Sequence, residues 1–317
     1  MFAGMTYYEL IWFFLLYSIL GWVVEVVYHV IAQGKVVNRG FLNGPVCPIY
    51  GFGMIAVLIL VYAVTPPGEE KPNVLLLFAG GMLLTSAIEL FGGWALDRLF
   101  HMRWWDYSDL PFNFHGYICL KFSILWGLGV LLVVGFVHPP VKLVPDFLIP
   151  VSAAGWVLLA LLYTVYLADL IVTYLTVRDM AKDYEELERF RKSLRALSDS
   201  MTEHIGAETI RAGRRIGEQQ VQAALARAEL KDALEEKRAE YGRTASLQKA
   251  EFDAKVAELR EKREAAELRF AEMLDAHAAR LRSSVHFGRG RLLKAFPDLR
   301  SYTHDEILKE LKKRLEG

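Results

Sequence analysis

Cysteine is nearly absent from this sequence: 317 residues hold two, Cys47 and Cys119. That leaves no disulfide framework and no Cys/His zinc spacing, so no metal site is expected. Charge is almost as scarce over the first 175 residues, which carry 7 of the 37 Lys/Arg and 10 of the 37 Asp/Glu. Proline is missing from Arg178 to Val285. No G-x-x-x-x-G-K-[ST] phosphate loop occurs anywhere, so the chain is not expected to hydrolyse ATP itself, and no cofactor is implied. The opening run MFAGMTYYELIWFFLLYSILGWVV lacks the basic residues of a secretory signal and a clear cleavage site. It reads as a retained transmembrane helix.

What is present falls into two materials joined near Tyr174. The formal net charge is zero, yet 30 basic and 27 acidic residues crowd into 176–317. The first part is apolar enough to be embedded in a bilayer, and the second reads as a charged helix. A hydrocarbon core about 30 Å thick takes roughly 20 apolar residues of helix. Five stretches meet or approach that length: Tyr7–Ile31, Pro48–Val64, Val74–Leu96, Gly116–Val137 and Phe147–Thr176. The sequence therefore predicts an all-α fold. A polytopic bundle of about five transmembrane helices fills residues 1–176, a coiled-coil-like helical tail 177–286, and a short helical segment 287–317.

Basic residues orient such a bundle. Lys35 and Arg39 lie in the first loop, Arg98 and Arg103 around the third, and Arg178, Lys182 and Arg189 open the tail. The second and fourth loops carry one basic residue each, Lys71 and Lys142. The first loop, third loop and tail then share the cytoplasmic face of a plasma membrane, with the N-terminus outside.

Two loops carry most of the polar chemistry. The first, NRGFLNGPVCPIYGFG (38–53), holds Arg39, Asn43, Gly40, Gly44, Pro45, Pro48, Gly51 and Gly53. The third runs through RWWDYSDLPFNFHGYIC and holds Arg103, Asp106, Asn113 and Gly116. Each follows a span with one acid, Glu25 or Glu89, and each ends in G-x-x-C, GPVC or GYIC. The shared order suggests a two-helix unit used twice in parallel orientation. A lone carboxylate at membrane depth needs a partner. For Glu25, Glu89 and Asp169 the nearest candidates are Arg39, Arg98 and Arg103. Two readings stand: structural ion pairs that pin loops to helices, or a polar chamber that binds an ion or small solute. Glycine and proline here mark either a turn or a re-entrant piece lining a cavity. Trp104, Trp105 and Tyr107 fit an interfacial belt, and the two cysteines fit small packing positions.

These two loop motifs resemble the bacterial membrane family labelled "putative ABC-transporter type IV" (CmpB-like). The resemblance covers roughly residues 7–140, and GRGRLLKAFPDLRSYTHDEILKELKKRLEG is similar to the C-terminal segment of some members. It implies a permease-like membrane component in a bacterial inner membrane. An ATP-driven role would then need a separate nucleotide-binding subunit. No substrate or catalytic residue comes with it.

In the tail, Leu187, Phe190, Leu194, Leu197 and Met201 follow 3–4 spacing, and Phe252, Val256, Leu259, Ala266, Phe270 and Leu274 resume it. That spacing is a coiled-coil seam. Self-association is the preferred expectation, beside an antiparallel hairpin or a docking arm for another protein. Gly206, Gly213 and Gly217 mark a weak point or crossing. Acids interleaved with Arg211, Arg214 and Arg215 argue against nucleic acid. Thr303 and Glu306 predict a capping box opening a last helix. Its apolar Ile307, Leu308, Leu311 and Leu315 would pack on the coiled coil or lie at the inner leaflet.

Three functions fit unequally. The first is a transport component with a polar, cytoplasm-facing pocket around Glu25, Arg39, Asn43, Glu89, Arg103, Asp106 and Asn113. The second is a membrane-anchored scaffold or regulator acting through the tail. An enzyme using Asp106, His115 and Glu25 comes last, because these form no triad or paired-acid motif.

Overall fold

The computed structural model describes residues 2–34, 36–66, 68–69, 71–226, 231–284, 286–301 and 304–316. Helix α1 (Tyr7–Gln33) opens on a capping box: Thr6 accepts from the Glu9 amide while the Glu9 side chain accepts from Thr6. Helices α2 (Pro48–Val64) and α3 (Val74–Phe100) follow. A two-residue antiparallel hairpin, β1 (Asn113–Phe114) and β2 (Ile118–Cys119), leads into α4 (Leu120–Leu132).

The fourth span departs from its expected end at Val137. Helix continues through a π turn at Val133–Val137, α5 (His138–Leu143) and a second π turn at Val144–Leu148. Pro139, Pro140 and Pro145 lack the N–H an α-helix needs, and wider π turns absorb the missing bonds instead of ending the helix. Lys142, assigned to a loop from sequence, is therefore helical. His138 is held by Tyr17 at 2.9 Å. The final span begins at Ala153, not Phe147, and belongs to α6 (Ala153–Ala226). Then come α7 (Lys231–Ser283), α8 (Arg289–Ala295) and α9 (Asp305–Glu316).

Among the described residues, four helices are long and apolar enough to cross a membrane: Tyr7–Ile31, Val74–Phe100, Leu120–Phe147 and a stretch within Ala153–Glu203. The 17 residues of α2 rise about 26 Å at 1.5 Å each, just short of the hydrocarbon core. Large apolar side chains such as Leu83, Phe136 and Leu161 face outward, as lipid contact requires. Inside, Phe13, Tyr17, Met54, Val57, Leu58, Leu77 and Val130 form one core. Tyr8, Trp12 and Leu159 form another between α1 and α6. Without a hydrophobic drive between helices in lipid, close backbone approach carries the packing. Gly51 shows it: a Cβ there would stand 2.7 Å from the Phe14 carbonyl of α1.

The chain divides into two compact units. The first joins residues 1–184 to residues 278–317, whereas the sequence reading sets 287–317 apart. The second is 185–277. Within it Phe190 stacks on Phe270, with centroids 5.8 Å apart and planes 5° from parallel, so α6 and the returning α7 meet. Leu187, Met201 and Leu274 are buried, and Phe190, Leu194, Leu197, Phe252, Val256, Leu259, Ala266 and Phe270 are partly buried. Helix α6 runs unbroken through Gly206, Gly213 and Gly217. The side chains of Arg211, Arg214 and Arg215 lie outside the described residues, as do Lys35 and the proposed cap Thr303.

Candidate functional site

One end of the first unit gathers both polar loops and the C-terminal segment. The first loop is shaped by Asn38, whose Oδ1 accepts from Trp22 Nε1 (2.6 Å) and the Gly40 amide (2.9 Å). Its Nδ2 donates to the Asn43 carbonyl at 2.7 Å. Asn43 and Gly44 then clasp Asp169 of α6. The Asn43 amide (3.1 Å), Asn43 Nδ2 (3.0 Å) and Gly44 amide (2.7 Å) all donate to its carboxylate. Pro45 lies in the bend and Pro48 sits in the first turn of α2, where its missing N–H costs nothing. The segment is a bonded turn.

Glu25 accepts from Tyr50 Oη at 2.7 Å and pairs with Arg39 at 3.8 Å. That pair was among the expected ones. Glu89 finds a different partner: Tyr107 Oη donates to it at 3.1 Å, while Arg98 is exposed and Arg103 is engaged elsewhere. Asp169 likewise meets amides and Thr173 in place of an arginine. A hydroxyl or amide satisfies a carboxylate without bringing a second charge out of water, which explains why these bonds replace the expected ion pairs.

Arg103 lies between Asp97 (3.5 Å) and Asp106 (3.3 Å), its guanidinium 4.3 Å from the Tyr117 ring centroid. Asn113 locks the turn by donating to the Ser108 and Leu110 carbonyls and accepting from the Gly116 amide at 3.1 Å. Gly116 has φ +72° and precedes the hairpin's second strand. Burial, reinforced by the nearby Glu89 carboxylate, pushes the Tyr107 phenol well above its ordinary range. The expected interfacial belt is replaced by packing. Trp104 is buried between Phe41 (5.0 Å) and Phe296 (4.9 Å), and Trp105 donates to the Tyr117 carbonyl at 2.9 Å. An indole can bury its body where its neighbours are aromatic, so the loops' own contact outcompetes the headgroup region.

Cys47 and Cys119 are both buried and free, each at the N-cap of the following helix. Burial first, then the Glu25 charge, pushes the Cys47 thiol up to about 12. It is a packing residue with no thiolate at neutral pH.

Sequence reasoning missed the C-terminal segment's place. Arg291, only 3% exposed, enters the first loop. Its Nη1 donates to the carbonyls of Gly40 (2.8 Å) and Asn38 (3.2 Å), its Nη2 to Phe41 (3.0 Å), and its Nε to Asn43 Oδ1 (3.2 Å). Burial pulls this guanidinium down to about 10, with Asp169 opposing, so it stays charged at neutral pH. Arg39 donates to the Ala295 carbonyl and lies 5.2 Å from the Phe296 ring centroid. Arg289 pairs with Asp183. The backbones of Arg103 and Arg300 exchange hydrogen bonds at 2.8 and 3.0 Å. Helix α9 buries Ile307, Leu308 and Leu311 within this same unit, where Lys312 also donates to the Leu299 carbonyl at 2.9 Å. The one sequence signal was a cluster of arginines in a glycine-broken stretch, GRGR.

Arg300 reaches Asp106 at 3.2 Å. Burial alone would raise the Asp106 carboxyl, but hydrogen bonds from Ser108 and the guanidiniums of Arg103 and Arg300 outweigh it and hold it low. A depressed carboxyl contributes stability above its unfolded pKa and loses it as pH falls through the folded one. Acidification from neutral to below about 4 is thus expected to loosen the 299–301 segment. Hydrogen exchange at the Arg300 amide should rise, and Asp106→Asn should abolish that pH step.

The family model described as "Putative ABC-transporter type IV" matches residues 12–174. The chain belongs to this family. No curated protein and no solved structure matches it. The type IV match extends beyond the two loops to α6 and includes Glu25, Arg39, Asn43, Glu89, Arg103, Asp106, Asn113 and Asp169. It stops short of Arg291, so the segment packed against these loops lies outside the matched region. With its apolar helices, this type IV family member is a multi-pass membrane protein. Among the described residues no cluster of three or more His, Cys, Asp or Glu is placed to hold a metal ion.

Proposed function

We propose that this chain is the permease-like membrane component of an ATP-driven transporter, working with a separate nucleotide-binding subunit. Its polar end faces the cytoplasm, on the side of Arg39, Arg103 and Arg178, and the N-terminus lies outside. The carrying observation is that two spans, α1 and α3, each bring one acid to the end of the bundle where the two polar loops lie. Glu25 and Glu89 each take a tyrosine hydroxyl, from Tyr50 and Tyr107. An intramembrane carboxylate facing the bundle is by default a candidate for a solute or ion path. The parallel placing of Cys47 and Cys119 supports a two-helix unit used twice.

Affinity purification from native membranes tests this. A co-purifying subunit with a phosphate-loop motif and ATP hydrolysis is expected; a purely homomeric assembly would sink the proposal. In that complex, Glu25→Gln and Glu89→Gln should each lower ATP-dependent activity about tenfold or more, the scale of 1.4 kcal/mol. Their melting temperatures should stay within a few degrees. A loss of stability with activity intact would instead identify structural pairs.

The Phe190–Phe270 stack favours a second role for the tail, as a folded-back arm that docks another protein. Deleting 194–266 and bridging the ends with a short Gly/Ser linker keeps both parts of the first unit. The permease reading expects activity to survive; a scaffold would lose its partner. Self-association through the tail is a proposal for the same protein, and its test is the mass of the particle with and without 194–266.

A further inference from the structure

The Arg291 contacts form a receptor rather than an ion pair. Three main-chain carbonyls and one amide oxygen converge on the guanidinium, at 2.8 to 3.2 Å, and every nitrogen of the fork is served. Among the described residues no carboxylate is hydrogen-bonded to it. The compensating Asp169 is one layer away, behind the Asn43 and Gly44 amides that it accepts from. Such a site reads a planar array of donors, and an ammonium, with three tetrahedral donors on a point charge, cannot reproduce that fork.

We propose that loop 38–43 is a guanidinium-recognition site and that the C-terminal segment 288–301 is its tethered ligand, a lid keyed into the polar end by one buried arginine. The segment's ion pairs lie at the rim, while the Arg103–Arg300 backbone exchange and the Ser301 bond to the His101 carbonyl hold its far end. Arg289 is 28% exposed in its pair with Asp183, and Arg300 is 56% exposed beside Asp106. Exposed pairs of this kind hold little. Leu292 and Leu293 are buried without directional bonds, whereas Arg291 beside them makes four. The lid also bears on the acid pair, because the Arg39 that faces Glu25 donates to the lid's Ala295 carbonyl. Lid release would therefore free an arginine at the polar end. This recognition chemistry stands apart from the transport reading, and its test uses no transport.

Hydrogen exchange of the full-length, detergent-solubilised protein reads both sides of the lock. Arg291→Ala should raise exchange about tenfold or more in segment 288–301 and in loop 38–44 together, while α2 and α3 are unchanged. Millimolar methylguanidinium should restore protection of loop 38–44 in that variant, and tetramethylammonium at equal ionic strength should not. Arg291→Lys should lose protection like alanine, and it carries the test should the alanine variant not fold. A lysine variant as protected as wild type would overturn guanidinium recognition. So would an alanine variant that methylguanidinium cannot rescue, or one in which the two segments exchange as slowly as before.

Discussion

Asp169→Ala is expected to destabilise the protein by ~3 kcal/mol, the upper range for orphaning several donors at once beside a buried charge. Its carboxylate accepts from the Asn43 amide, the Asn43 side chain, the Gly44 amide and Thr173 Oγ1, at 2.7 to 3.3 Å. Alanine removes all four acceptor contacts and leaves the turn's N–H groups facing apolar helix. It also removes the negative charge set behind Arg291, so a buried guanidinium loses its compensation. Asp169→Asn keeps one acceptor oxygen and should fall between wild type and alanine. Thermal unfolding followed by tryptophan fluorescence would rank the three. Trp22 is a built-in reporter, since its Nε1 donates to Asn38 in the same loop. If alanine melts with wild type, the loop is held by something other than this clasp, and Arg291 would be balanced elsewhere.

The helices were legible because their cause is local. A run of about 20 apolar residues or a 3–4 repeat fixes a helix and its buried face whatever lies elsewhere. Leu187 and Leu274 are buried as their spacing predicts. The fourth span is the instructive exception: three prolines signal an ending, but π turns at Val133–Val137 and Val144–Leu148 carry the helix past them. The site was legible only in part. Glu25 and Arg39 were expected to meet and do, and the two loops were expected on one face and touch through Phe41 and Trp104. The tyrosines that serve Glu25 and Glu89 were not foreseen, because a tyrosine hydroxyl, unlike an arginine, carries no charge that marks it as an acid's partner in sequence. Nor was Arg291, about 250 residues from its acceptors. Three of its four acceptors are main-chain carbonyls, which every residue has, so side-chain pattern could announce only the fourth, Asn43.

Gly116→Ala should be the most damaging single-methyl change in the third loop. Gly116 has φ +72°, and a Cβ there would lie 2.5 Å from Ser108 Oγ and 2.6 Å from Arg103 Nη1, as well as against Asp106 Oδ1. The left-handed backbone costs an L-residue ~1 kcal/mol and the crowding ~1–3 more. Relief by movement is limited, since the Gly116 amide is bonded to Asn113 and its carbonyl to the Tyr107 amide. Phe112 and His115 already hold positive φ in the same turn, so the loop has little slack to share. The methyl group must therefore displace Arg103 from Asp106, and the Arg103–Arg300 backbone pairing moves with it. A loss of ~2–4 kcal/mol is expected, with exchange rising at the Arg300 amide. Gly129→Ala is the control. Nothing lies within 4 Å of a Cβ there, and alanine in a helix costs nothing in propensity, so its melting point should match or exceed wild type. Equal melting of the two variants would mean that the third loop yields to the methyl group, and that Arg103 is not held where Asp97 and Asp106 place it.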